Sequence, residues 1–331
     1  MSPAARRTAK ASRPARKRRL QWIVPLVVMT VLLATAATVF GLRQSHKQTP
    51  ATHKQTAVSK PSSNPTQTNN TPLAQQPTPS PAVQTPQPHI DLGLGQVITS
   101  WQQSHSFTAS VVVRELSGSL RTASSNASAS VIPASTYKIY VAYAILHGIE
   151  QGSYTLNTAT SDGKTIQTDL NNMILNSDND AARTLGFLYG WKNINALLQS
   201  QGATTTDLYN YVPPSTQPVG DKHTTANDLA TILQKLQAGS LLSASHTQLL
   251  LSLMKQQHYR ERIPAGVPSN VSVADKPGWL SPADGESGYT QNDAGIVYGP
   301  KSTYLLVITT NGSGTQPLAT LSQQVYNYLE S

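Results

Sequence analysis

The chain has 331 residues, a formal charge of +9 and an isoelectric point near 9.6, long enough for one sizeable domain or two small ones. The charge is unevenly placed: residues 1–90 hold twelve Lys or Arg and no Asp or Glu, which leaves 13 basic and 16 acidic side chains, a net −3, in residues 91–331. A folded part with that balance has no electrostatic footprint for a polyanion, so nucleic acid is excluded as an expected partner, and the absence of cysteine excludes disulfides, thiolate catalysis and iron–sulfur ligation.

The eight histidines show no HExxH motif and no paired i, i+4 spacing, so neither a metal nor another cofactor is expected. Taken in chain order, the first feature is a basic tail over residues 1–19 with eight Lys or Arg, followed by an uncharged apolar run from Leu20 to Leu42. As a helix that run would span roughly 34 Å, enough to cross a bilayer core. Basic residues crowd its N-terminal flank, which places the N-terminus in the cytoplasm and the remainder outside. The reading is a single-pass signal anchor over 20–42 in the cell membrane. A cleaved signal peptide is the rival, because Ala34-Thr35-Ala36 resembles a cleavage site. The run continues through Val39, Phe40 and Leu42, which favours the anchor, and both readings export the rest of the chain. Residues 43–89 are rich in Thr, Pro, Gln, Ser and Asn with no Phe, Tyr or Trp. With so little apolar surface to offset folding entropy, this stretch reads as a disordered linker.

The folded domain is expected over residues 90–331. Leu94, Val97, Ile98 and Trp101 repeat at helical spacing behind Asp91, a suitable cap. Phe107–Leu116 reads as a strand, Ser117-Gly118 as a turn and Leu120–Ala123 as a returning strand. From Ala134 to about Glu261 the pattern is helices and loops. Strand character returns at Val271–Lys276, Ala294–Tyr298 and Thr303–Thr310, and Leu318, Leu321, Val325 and Leu329 form the apolar face of a final helix behind Pro317. The expected architecture is α/β of the α+β kind: an antiparallel sheet of about five strands, flanked by N- and C-terminal helices, plus an all-α lobe.

The candidate chemistry centres on Ser135-Thr136-Tyr137-Lys138. A Ser and a Lys three residues apart on a helix share one face, and a desolvated Lys has a lowered pKa and can take a hydroxyl proton. Ser161–Lys164 and Ser252–Lys255 repeat the spacing, but only the first copy follows Pro133-Ala134 and opens a nearly uncharged run, Ile139 to Leu146. Taken alone, Ser135 reads better as a helix cap and Lys138 as a surface lysine. Further motifs change the balance. Ser177-Asp178-Asn179 stands 42 residues beyond Ser135, and Lys276-Pro277-Gly278 stands 99 beyond Ser177, at the end of a predicted strand.

In order and context these three motifs resemble the Ser-x-x-Lys, Ser-Asp-Asn and Lys-Thr-Gly set of class A β-lactamases and penicillin-binding proteins. The resemblance covers about residues 90–331 and implies a β-lactamase or DD-peptidase-like fold. It further implies Ser135 as the acylating nucleophile, Lys138 as its proton acceptor and Ser177 as a proton relay to the leaving nitrogen. Asn179 would bind the substrate's amide side chain, and Lys276 and Gly278 would line the substrate-carboxylate side. Backbone N–H groups of Ser135 and Trp279 would form the oxyanion hole. Two departures stand out. No Glu occurs between Glu150 and Glu261, so Asp207 and Asp221 are the only carboxylates in the loop 204–221 where the family keeps its deacylating Glu. Pro277 also replaces the hydroxyl residue that normally contacts the substrate carboxylate. The interval from Ser135 to Ser177 is shorter than usual, implying a trimmed helical lobe. Three functions remain open: a β-lactam hydrolase with slow turnover; a peptidase acting on D-Ala-D-Ala peptides; and a non-catalytic wall-associated binding domain.

Overall fold

The computed structural model describes residues 87–208, 222–281 and 289–331. The basic tail, the anchor at 20–42 and nearly all of the linker lie outside the described residues, and among those described no helix is long and apolar enough to cross a membrane. The described chain opens with strand β1, His89–Ile90, followed by helix α1, Leu92–Gln103. The Asp91 carboxylate accepts the Leu94 N–H at 2.9 Å, filling one of the helix's unpaired donors. Leu94, Ile98 and Trp101 face inward, as their spacing predicts.

Strands β2 (Thr108–Glu115) and β3 (Arg121–Ser125) form the expected antiparallel pair. The second strand group is β4 (Ser272–Leu280), β5 (Thr290–Tyr298) and β6 (Thr303–Asn311). All pair into one sheet ordered β1-β3-β2-β6-β5-β4. The β2–β6 register, from Thr108↔Asn311 to Glu115↔Tyr304, joins the two strand groups. The sheet therefore has six strands where about five were expected. The addition, β1, pairs parallel to β3 through only His89 and Ile90, too short a stretch to leave a period-two signal. Strand β4 also runs on to Leu280, so Lys276-Pro277-Gly278 lies within the strand and not at its end. As the outermost strand, β4 can hold Pro277 without breaking an interior ladder.

Alternation along the strands gives the sheet two apolar faces. On one, Val111, Val113, Val273, Val297, Leu306 and Ile308 pack with α1 and with Leu318, Leu321, Val325 and Leu329 of α8, Thr315–Leu329. Helix α8 begins two residues before Pro317, which therefore sits in the first turn, where no intrahelical N–H bond is lost. Tyr328 Oη donates to Asp91 Oδ1 at 2.7 Å, tying α8 to the cap of α1. On the other face, Val112, Ala274, Ala294, Ile296, Leu305 and Val307 meet the helical lobe. That lobe comprises α2 (Lys138–Glu150), α3 (Ile166–Leu175), α4 (Asn179–Tyr189), α5 (Trp191–Ser200), α6 (Ala226–Gln237) and α7 (Ala244–Gln256). Ile139 to Leu146 of α2 are all buried; a helix apolar on every side belongs at a lobe's centre.

Candidate active site

Ser135 lies not on the first turn of α2 but on a 3-10 turn, Ala134–Tyr137, that leads into it. This turn backs onto β4 and β5. Asn292 of β5, fully buried, donates from Nδ2 to the carbonyls of Ile132 (2.8 Å) and Pro133 (3.0 Å), and its Oδ1 accepts the Thr310 N–H. Pro133 O also accepts the Thr136 hydroxyl at 2.7 Å. Ala134 is held at φ 46°, a left-handed conformation that costs a residue with a Cβ about 1–3 kcal/mol. On the strand side, a Cβ added to Gly278 would stand 2.6 Å from Ser135 N and 2.8 Å from Thr136 N. Gly278 is thus where β4 and the Ser135 turn touch backbone to backbone.

Ser177 comes from the loop between α3 and α4. Its φ of 55° is a second left-handed non-glycine position. Asp178 Oδ1 accepts the N–H groups of Asp180 and Ala181 at 2.8 and 3.1 Å, capping α4. This fixes the turn that aims Ser177 and Asn179 toward α2.

Lys138 gathers these parts. It is fully buried, which removes the surface-lysine reading. Its Nζ stands 3.0 Å from Ser135 Oγ, 3.2 Å from Ser177 Oγ, 2.5 Å from Ser177 O and 2.8 Å from Asn179 Oδ1. Burial above all, then the neighbouring charge of Lys276, brings its pKa down to about 6; Asp178 opposes this, and Lys222 adds a smaller lowering effect. Lys276, from β4, donates to Ser177 Oγ at 3.0 Å and to Pro277 O at 3.0 Å. Burial lowers its pKa to about 8, opposed by Asp275 and Asp293. Both carboxylates are buried on the sheet's opposite face, where Asp275 takes bonds from Arg260 and Gln257 and Asp293 from the Ile263 N–H. Burial raises the pKa of each.

Beside Ser135 opens a cavity of about 170 Å³, lined also by Tyr137, Asn179, Arg183, Trp191, Lys222 and Trp279. The structure therefore brings Ser135, Lys138, Ser177, Asn179 and Lys276 into one contact network, with Gly278 against the Ser135 turn and Trp279 and Leu280 lining the cavity from β4. A family model described as the beta-lactamase enzyme family matches residues 94–329. The chain belongs to that family.

The fold agrees with this membership. The chain resembles PBP-A, solved for one variant as an acyl-enzyme complex with penicillin G, at 22% identity and a TM-score of 0.66, covering 74% of this chain and 99% of that one. An ancestral class A β-lactamase of Gram-negative bacteria gives 22% and 0.63, covering 71% and 99%. A β-lactamase from Chitinophaga pinensis gives 17% and 0.65 over the same shares. At such identities these likenesses show the fold alone. A search of curated proteins by sequence finds no match.

In this member of the beta-lactamase family, the other described charged residues singled out from the sequence stand apart from the network. Asp207 binds Asn195 Nδ2 at 2.8 Å and lines a separate cleft with Lys192 and Thr204. Asp221 lies outside the described residues. Arg260 and Arg262 stand away from the cavity: Arg260 pairs with Asp275 at 2.7 Å, and Arg262 donates to Gln291 and covers the Trp279 ring. Four participants escaped the sequence reading: Asn292, Arg183, Trp191 and Lys222. Only Asn292 left a signal, a polar pair with Asp293 inside an otherwise apolar strand. Among the described residues, no group of three or more His, Asp or Glu could hold a metal.

Proposed function

We propose that this member of the beta-lactamase family is an extracytoplasmic serine hydrolase that forms an acyl-enzyme on Ser135 with β-lactams and releases it slowly. The observation that carries the reading is the 3.0 Å approach of a buried Lys138 amine, with a pKa of about 6, to Ser135 Oγ. A neutral amine has one lone pair and two N–H groups. The lone pair takes the Ser135 proton while the N–H groups stay on the Ser177 and Asn179 oxygens. Ser135 Oγ then bonds to the lactam carbonyl carbon, and the backbone N–H groups of Ser135 and Trp279 receive the oxyanion. Collapse breaks the C–N bond, and the leaving nitrogen gains its proton through Ser177 Oγ, which both lysines touch. Lys276 attracts the substrate carboxylate.

Completing hydrolysis requires a base within hydrogen-bond reach of a water. No carboxylate occurs among the described residues lining the cavity, and Asp207 faces another cleft. That favours slow release, and equally supports the second reading, a peptidase on D-Ala-D-Ala peptides whose acyl-enzyme a β-lactam would trap. A non-catalytic binding domain would have no need for two buried lysines converging on two serines. The expected result with purified full-length protein and a fluorescent penicillin is a covalent mass adduct that outlasts its formation time and is lost in Ser135→Ala. Rapid turnover without an accumulating adduct would overturn slow release, and absence of both adduct and turnover would overturn acylation itself. Labelling of intact cells by a membrane-impermeant penicillin tests the outward orientation proposed from residues 1–42.

A further inference from the structure

Two of the described residues that line the cavity beside Ser135, Lys222 and Arg183, are cationic. Lys222 is 6% exposed and lies over the rings of Tyr137 and Trp191, with Nζ 5.0 and 5.7 Å from their centroids. Aromatic faces offset part of the cost of burying an ammonium. The backbone that follows it is bridged twice: Asp207 pairs with His223, and Thr224 pairs with Val131, only four residues before Ser135. Arg183 stands one turn after Asn179 on α4, on the same side of the helix. Its guanidinium is half exposed and touches Asp180 at 2.7 Å. Both cations line the same cavity as Ser135 and Asn179, and no carboxylate is among its described lining residues. Neither contacts the reacting atoms in the mechanism, where Lys222 enters only through its charge near Lys138.

We propose that Lys222 and Arg183 form an anion subsite for the acyl side chain, so that the preferred acyl donor carries a carboxylate beyond the amide held at Asn179. The inference rests on the acylation reading and names the substrate class of that site. An acyl donor whose amide is at Asn179 directs its substituent along α4 toward Arg183 and across to Lys222. Lys276 takes the carboxylate on the leaving side. The site is therefore bipolar and suits a substrate anionic at both ends. Salt screens a partly buried charge pair of this kind much less than a surface pair, though it still weakens it.

The test compares benzylpenicillin, with one carboxylate, and its α-carboxy derivative, with a second on the acyl side chain; the α-amino derivative serves as the opposite-sign control. Second-order acylation constants are measured on the full-length protein in detergent by mass of the adduct. The expected result is that the α-carboxy compound reacts about tenfold faster than the α-amino compound, and that this ratio falls toward one in Lys222→Gln and further when Arg183→Gln is added. Should Lys222→Gln fail to fold, Arg183→Gln at its exposed position and a salt titration of the wild type report on the same ratio. A ratio near one in the wild type, or one unmoved by the substitutions and by salt, overturns the subsite while leaving acylation intact. Absence of any adduct with all three compounds overturns the acylation reading instead.

Discussion

Lys138 is an ammonium in water and an amine in this protein, because burial and the two cations Lys276 and Lys222 all disfavour its charge. The proposed acylation requires the amine, so its rate should rise as pH increases through about 6. In the same proposal Lys276 is charged when it holds the substrate carboxylate, and its pKa of about 8 sets the opposite limb. The expected pH profile of the acylation constant is a bell between these values. Lys222→Gln removes one of the cations that lower the Lys138 pKa, so the acidic limb should move to higher pH, a displacement that loss of packing alone would not produce. A pH series of adduct formation on wild type and variant checks both statements.

At the scale of elements, the decisive contact is between one strand and one turn. Strand β4 approaches the Ser135 turn so closely that Gly278→Ala would set a Cβ 2.6 Å from Ser135 N and 2.8 Å from Thr136 N, both backbone atoms that cannot rotate away. Either the turn or the strand must shift. Displacing a nucleophile by about 1 Å costs on the order of 100-fold in rate, so Gly278→Ala should lose acylation by about that factor. Denaturant unfolding, measured alongside, should show a much smaller change, because β4 is an edge strand and can move outward. Equal loss of folding and acylation would show that the contact is needed for the fold itself. Asn292 holds the same turn from β5, which explains a buried amide in a strand that otherwise packs apolar side chains.

For the whole molecule, the sheet separates two cores with different duties. One lies between the sheet and the pair α1 and α8, the other between the sheet and the helical lobe that carries Lys138. Trp101 belongs to the first: it is 2% exposed, and its indole N–H donates to Pro317 O at 2.9 Å. Trp101→Ala should cost about 3–5 kcal/mol by denaturant unfolding. The acylation constant of the protein that remains folded should be unchanged, because no part of the site touches α1. A parallel fall in the acylation constant would show that the two faces are coupled through the sheet.

Much of this organisation was legible along the chain, since helix and strand periodicity depends on neighbours a few residues apart. The spacing of Leu94, Ile98 and Trp101 located α1, the uncharged run after Lys138 located the buried helix, and three short motifs in order located the parts of the site. Strand ends were less visible: polar residues from Asp275 to Gly278 and from Gln291 to Asp293 interrupt the alternation because they make buried polar or close backbone contacts. What the tertiary structure alone decided is convergence. Ser135, Ser177 and Lys276 are separated by 42 and 99 residues, and only tertiary packing, helix against helix for Lys138 and lobe against sheet for Lys276, sets the two lysines within 3.2 Å of the Ser177 hydroxyl. Lys222 is the clearest case: its sequence context marks a polar loop, whereas its place over Tyr137 and Trp191 exists only because the Ser135 turn, α5 and the segment before α6 meet at one cavity. Local patterns determine which side of each element is buried; the charge that faces a substrate depends on how distant elements are brought together.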